Sequence, residues 1–274
     1  MNGKRIDFLV IVILTILDFI YGYVTRDTFF GKPTIVGIMA LLPAIIYLGI
    51  RKKKNWKKIA IATLVFGILF GFIFEFRVEF TRTYVVPSAL TLFPSWFGFF
   101  QPDILVGHAM MACFTIVFYE HFIERDRDPH ISKNLIYAVL PGICAAVVMI
   151  FAFYFRPSLL SRGGYTYFHM GLAAIIPPIL LGFFQPKFIR NMVETTFFFF
   201  FLWMAYEIFA VKLGYWIYPG NNYIGRIFIF GINFPIEEML FWMLFYAASL
   251  VSYYELFVDA HSSKKTVSKK RNRR

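Results

Sequence analysis

At 274 residues, 59% of them hydrophobic and 16% charged, with a mean hydropathy of +0.63, the chain has more apolar surface than a water-soluble domain hides. A formal net charge of +12 would suit a nucleic-acid binder, but the charges fall in short clusters between apolar runs, which excludes that partner. The two cysteines, Cys113 and Cys144, both lie within apolar runs and frame neither a disulfide nor a metal site.

Runs of about 20 apolar residues read as bilayer spans. Eight follow in order, roughly 8–24, 33–50, 59–76, 103–123, 135–155, 168–184, 192–211 and 238–258. The expected fold is an all-α membrane protein. The first run carries Asp18 and no small-residue cleavage site follows it, so it reads as a span rather than a cleaved leader. With the N-terminus inside, the inner loops collect Lys4, Arg5, Arg51, Lys52, Lys53, Lys54, Lys57, Lys58, Arg125, Arg127, Lys133, Lys187 and Arg190. The tail 261–274 adds a further basic cluster. The excess of inside Lys and Arg places both termini in the cytoplasm of a multi-pass cell-membrane protein, with the tail as a solvated topology anchor.

The chain reads as duplicated. Gly37 and Pro43 in the second run match Gly171 and Pro177 in the sixth. Glu75 and Glu207 close the third and seventh runs; each is followed nine residues on by an aromatic, Tyr84 or Trp216, and twelve on by a proline, Pro87 or Pro219. The fourth and eighth runs end alike in Tyr119-Glu120 and Tyr254-Glu255. Two halves, 1–130 and 131–260, would form two parallel four-helix repeats. The outer connections 3–4 and 7–8 are long and apolar. Such backbone is tolerated at membrane depth only under protein cover, so both are expected to fold back over the bundle.

Carboxylates at membrane depth are candidates for chemistry. Glu75, Asp103, Glu207, Glu237 and Glu238 all fall near the outer ends of spans, level with Arg77, Arg82, Lys212 and Arg226, so salt bridging between helices is the competing reading. Asp18 lies mid-span. In Asn233-Phe-Pro-Ile-Glu-Glu238 the proline and acids suit a helix start. Neighbouring helical residues point about 100° apart, so one glutamate can cap or pair with Arg226 while the other enters a site. His108 reads as a packing or hydrogen-bonding residue. No paired-histidine cluster or aspartate-rich box is present, and neither a metal nor a cofactor is expected.

The second half resembles the membrane-integral lycopene cyclase domain of the heterodimeric or fused type. The residues that carry the resemblance are Glu207, Gly214-Tyr-Trp216-Ile-Tyr218, Pro235-Ile-Glu237-Glu238 and the aromatic pair Phe241-Trp242. It covers 168–257 well and 33–122 as a degenerate copy. The chain departs in having Glu207 where the family usually has Asp, and Gln101-Pro102-Asp103 where a second Pro-x-Glu-Glu would stand.

The resemblance implies acid-initiated cyclisation of the end group of a lipid-dissolved polyene, without net redox. A carboxyl protonates the terminal double bond, the cation is trapped by a neighbouring alkene, and a base removes a proton. Glu237 and Glu238 would be the acid–base pair with Glu207 as a further carboxylate, and Asp103 and Glu75 their counterparts in the first half. Trp216, Tyr218, Phe241, Trp242 and Tyr84 would face the substrate, since aromatic faces stabilise cations. The partners implied are a hydrophobic isoprenoid, the bilayer, and other carotenoid enzymes or a second copy of the chain. A proton-coupled transporter, a non-catalytic partner, and an enzyme acting on another isoprenoid are the alternatives.

Overall fold

The computed structural model describes residues 3–52, 55–124, 130–161 and 164–259; the expected basic tail 261–274 lies outside them. Seven helices are long and apolar enough to cross a membrane: α1 (Gly3–Thr25), α2 (Pro33–Arg51), α3 (Trp56–Phe80), α4 (Pro102–Ile123), α5 (Lys133–Phe155), α6 (Thr166–Phe184) and α7 (Pro186–Lys212). An eighth, α8, is a bent pair, Glu238–Leu244 and Tyr246–Val258, meeting at 47°. The eight apolar runs thus become helices within a few residues of their expected bounds. Pro33 and Pro102 stand in the first turns of α2 and α4, where the missing N–H is not needed.

Burial sorts the helices. In α4, 67% of the most apolar stretch is covered by protein, against 17% for both α1 and α5. The first helix of each expected half is therefore peripheral, and α4 runs through the middle. Segments of π-helix interrupt α3 at Thr63–Leu69, end α4 at Tyr119–Ile123, and open and close α8 at Glu238–Leu244 and Tyr254–Val258. The wider turns re-aim the side chains that follow them.

Matching positions in the two halves touch each other. Val85 and Ile217, each one residue past the paired aromatics, exchange both backbone hydrogen bonds, at 2.9 and 3.0 Å. At the other end of the bundle the Tyr119 hydroxyl donates to Glu255 at 2.8 Å, and the Tyr254 hydroxyl donates to Glu120. The backbone N–H groups of Glu124 and Asp259 close the two terminal π-turns on Tyr119 and Tyr254. Pro43 and Pro177 both lie inside their helices.

The long connections do fold back. Tyr84, Phe100, Tyr215, Tyr218 and Tyr223 are all buried. The second connection also forms a short antiparallel hairpin, β1 (Arg226–Ile229) with β2 (Ile232–Pro235), an addition to a fold expected to be helical throughout. Its turn residues Phe230 and Gly231 both take positive φ, the twist a two-residue hairpin needs. Phe228 and Phe230 are exposed on it, while Ile232 and Phe234 are buried.

The end of the bundle opposite the hairpin is ionic inside. Lys58, expected in a basic loop, is instead 1% exposed, 2.7 Å from Asp259 and 3.8 Å from Glu120. Asn55 donates to Glu120 at 2.5 Å. Asp7 holds Tyr47, Arg51 and His121 within 3.0 Å. Removing one member of a buried ion pair strands its partner, which costs about 3–5 kcal/mol. Lys58→Met is expected to lower stability by about that much, read as a loss of thermal midpoint in detergent, while Arg190→Met, at an exposed ion pair, is expected to leave the midpoint nearly unchanged.

Candidate active site between the two halves

Two glutamates, one from each half, set the frame. Glu75 lies five residues before the end of α3 and is 2% exposed. Its Oε1 is 2.6 Å from His108 Nε2, and its Oε2 accepts the Tyr84 hydroxyl at 2.5 Å. Gly71 allows this pairing: a Cβ there would stand 3.1 Å from the His108 ring. Glu207 lies five residues before the end of α7, and its Oε1 accepts Trp216 Nε1 at 3.0 Å and the Tyr218 hydroxyl at 2.8 Å. Each acid is thus bound by the aromatic nine residues after it.

Glu238 is the third carboxylate of this layer. It is 2% exposed at the first turn of α8, facing the hydroxyls of Tyr167 and Tyr218. Its Oε2 has no hydrogen-bond partner among the described residues. Tyr218 therefore stands between Glu207 and Glu238. Burial and then the charge of Glu207 hold the Tyr218 phenol well above its ordinary pKa, so it stays a donor.

Glu75, Glu238 and their partners line an apolar groove, here groove 1, with a cavity volume of about 140 Å³. Glu75, Asp103, Glu238, Tyr84, Trp216, Tyr218 and Trp242, all singled out in the sequence, meet there. Asp18, Tyr167, Trp203, Tyr206 and His108 complete the wall. Glu207 sits just behind it, through Trp216 and Tyr218. Asp18 is buried and its Oδ1 lacks a partner among the described residues. Trp242 lies edge-on to His108, with ring centroids 5.0 Å apart, and stacks on Phe74 at 5.9 Å.

Three expected members, Glu237, Phe241 and Asp103, have other surroundings. Glu237 and Glu238 do not act on one point. Glu237 Oε1 accepts the Ile224 N–H at 2.6 Å, and its side chain lines a separate groove 2, as does Phe241. The cause is the roughly 100° step between neighbours on a helix. Arg226 pairs with neither glutamate. It donates to the Tyr218 and Gly220 carbonyls at 2.8 and 2.7 Å, pinning the loop that carries Tyr218. Asp103 lines groove 1, but its oxygens accept Thr34 Oγ1 at 2.6 Å and the N–H groups of Leu92 and Phe93 at 2.8 and 3.0 Å. It anchors the connection between α3 and α4.

Sequence reasoning gave no place in the site to Tyr167, which has no motif around it, and gave His108 only a packing or hydrogen-bonding part. The geometry gives His108 that hydrogen bond, to Glu75. Among the described residues no three His, Cys, Asp or Glu side chains gather as a metal site requires. Among the described residues, groove 1 presents carboxyl, phenol, imidazole and indole groups.

Comparison of the chain with known protein families, curated proteins and solved structures finds no match. Because Asp103 holds the loop through two backbone N–H groups, Asp103→Ala is expected to raise the rate of limited proteolysis between 88 and 100 by at least about tenfold, at roughly 1 kcal/mol per lost bond. Glu238→Gln, whose Oε2 holds nothing, is expected to leave that rate within about twofold.

Proposed function

We propose that the chain is a membrane-embedded cyclase for the end group of a lipid-dissolved linear polyene of the lycopene type, built from two parallel four-helix repeats with both termini in the cytoplasm. The observation that carries the reading is the layer in which Glu75–His108 and Glu238 line an apolar, aromatic-walled groove with Glu207–Tyr218 directly behind its wall. The duplication is supported by the shared nine-residue tethers and by the Val85–Ile217 exchange between equivalent positions.

The chemistry needs one proton in and one proton out. Glu238, in its protonated form, is the acid. Its Oε2 has no competing partner, so its proton can pass to the terminal double bond of a chain lying in groove 1. The π electrons of that bond form the new C–H bond, leaving a tertiary cation. A second double bond of the same chain attacks it, closing a six-membered ring and moving the cation into the ring. The faces of Trp242 and Trp216 stabilise that charge without bonding to it. A base then takes the neighbouring ring proton, and its C–H electrons become the ring double bond. Glu75, oriented by His108 and Tyr84, is the base facing the groove. Substrate and product are isomers, so nothing is oxidised or reduced. Tyr218, hydrogen-bonded to Glu207 and facing Glu238, links the two carboxylates through which the acid is recharged.

A transporter would space its acids along a path open to both faces. Here Glu75, Glu207, His108 and Glu238 all lie within two helical turns of the hairpin end of their helices, which favours a one-sided reaction chamber.

The test is expression of the intact chain in a bacterium that accumulates lycopene, with pigments separated by chromatography. Monocyclic or bicyclic carotene is the expected product. Glu238→Gln is expected to reduce it by at least about 100-fold, the usual share of a general acid. Glu237→Gln, which keeps an acceptor for Ile224, is expected to stay within about tenfold of the parent. Unchanged lycopene with the protein present in the membrane would overturn the lycopene-type reading.

A further inference from the structure

The second groove has the size and the lining of a site. Its cavity volume is about 330 Å³, against about 140 Å³ for groove 1. Groove 1 is lined chiefly by α1, α2, α4 and α7, with Glu75, Tyr167, Glu238 and Trp242 added from α3, α6 and α8; groove 2 is lined chiefly by α5, α6, α8 and α3, with His108 added from α4. The correspondence under the proposed duplication reaches single residues. Gly37 and Ala40 in groove 1 match Gly171 and Ala174 in groove 2, and Leu202 and Tyr206 match Phe70 and Phe74, at the same offsets that relate Pro43 to Pro177 and Glu75 to Glu207.

The two grooves share a wall of His108, Tyr167 and Trp242. The adjacent glutamates are divided between them, Glu238 to groove 1 and Glu237 to groove 2. Two polar atoms are buried at groove 2 without a hydrogen-bond partner among the described residues, Glu237 Oε2 and Ser249 Oγ, on residues 0% and 6% exposed. A buried polar atom left unpaired is costly, so an occupant that supplies its partner is favoured over a plain hydrocarbon. Glu237 is the one carboxylate that groove 2 offers, without the opposing acids of groove 1, so the equipment is for holding a molecule rather than for moving protons in and out of it.

We propose that groove 2 is a second binding site for an isoprenoid chain ending in a hydroxyl group, with that hydroxyl on Glu237 and the chain along Phe70, Phe74 and Ala174. The assignment rests on the duplication and the isoprenoid ligand class proposed above, and not on the cyclisation step.

The experiment counts ligands instead of products. The full chain, reconstituted in phospholipid nanodiscs, is titrated with all-trans-retinol, a conjugated isoprenoid alcohol, and the bound retinol is read from its own fluorescence. The parent is expected to hold two per chain. Ala40→Phe, which fills groove 1, and Ala174→Phe, which fills groove 2, are each expected to hold one. Since each variant keeps the other's site, the retained site reports that it is folded. On the Ala40→Phe background, Glu237→Gln is expected to weaken the remaining site by about three- to tenfold, the worth of one hydrogen bond.

One retinol per chain, undisturbed by Ala174→Phe, would mean that groove 2 takes only bilayer acyl chains and would overturn the inference while leaving groove 1 intact. Two per chain, with Ala174→Phe still holding two, would overturn it as well. Because no pigment is formed in this assay, a failed cyclisation in the lycopene strain and a failed second site here are separate results.

Discussion

A carboxylate held at membrane depth has to find its hydrogen-bond donors inside the protein. Glu75 and Glu207 find theirs in the chain that follows them, at Tyr84 and Trp216. Much else depends on these two tethers. They require each long connection to turn back over the bundle as soon as its helix ends. Once both have turned back, Val85 and Ile217 lie side by side and pair. The pairing seals the hairpin end between the halves and presses Tyr218 against Glu207. The hairpin, the Arg226 clamp on the loop carbonyls and the Asp103 anchor on Leu92 and Phe93 then fix the covering layer from its edges.

The opposite end is held by a different device. There the two halves exchange tyrosine-to-glutamate hydrogen bonds, and Lys58 is enclosed between Asp259 and Glu120. Buried ion pairs do not add much net stability, but they are unforgiving of misalignment. The arrangement therefore favours one register between the halves at the basic end, while the aromatic tethers set it at the hairpin end. Between these two belts the contacts are apolar, and it is there that the grooves open.

Hydropathy alone made the eight spans legible, because in lipid a helix must be apolar along its whole length. The proposed repeat was suggested by the spacing that Glu75 and Glu207 keep to an aromatic and a proline. Those spacings pointed to Tyr84 and Trp216; Glu238 stood out as a carboxylate at membrane depth, while Tyr218 and Trp242, which line the same groove, were named through the resemblance. Other features were not legible. Tyr167 is brought in by the packing of α6 on α8, and nothing near it in the chain marks it. Whether Glu237 or Glu238 faces groove 1 depends on the phase of a helix that opens with a π-turn, which a residue count does not give. Lys58 looked like any other loop cation, because its partner Asp259 lies 201 residues away.

The peripheral helix α1 forms part of the wall of groove 1 through Thr15, Asp18 and Phe19. It stands between that groove and the surrounding lipid, and it is held mainly by α2 and by contacts such as Phe19 against Phe209. A guest coming past α1 arrives sideways from the bilayer and never crosses water. Its occupancy is then governed by its mole fraction among the lipids and by the work of parting one helix from its neighbours, so membrane composition, and not aqueous concentration, sets how full the groove is.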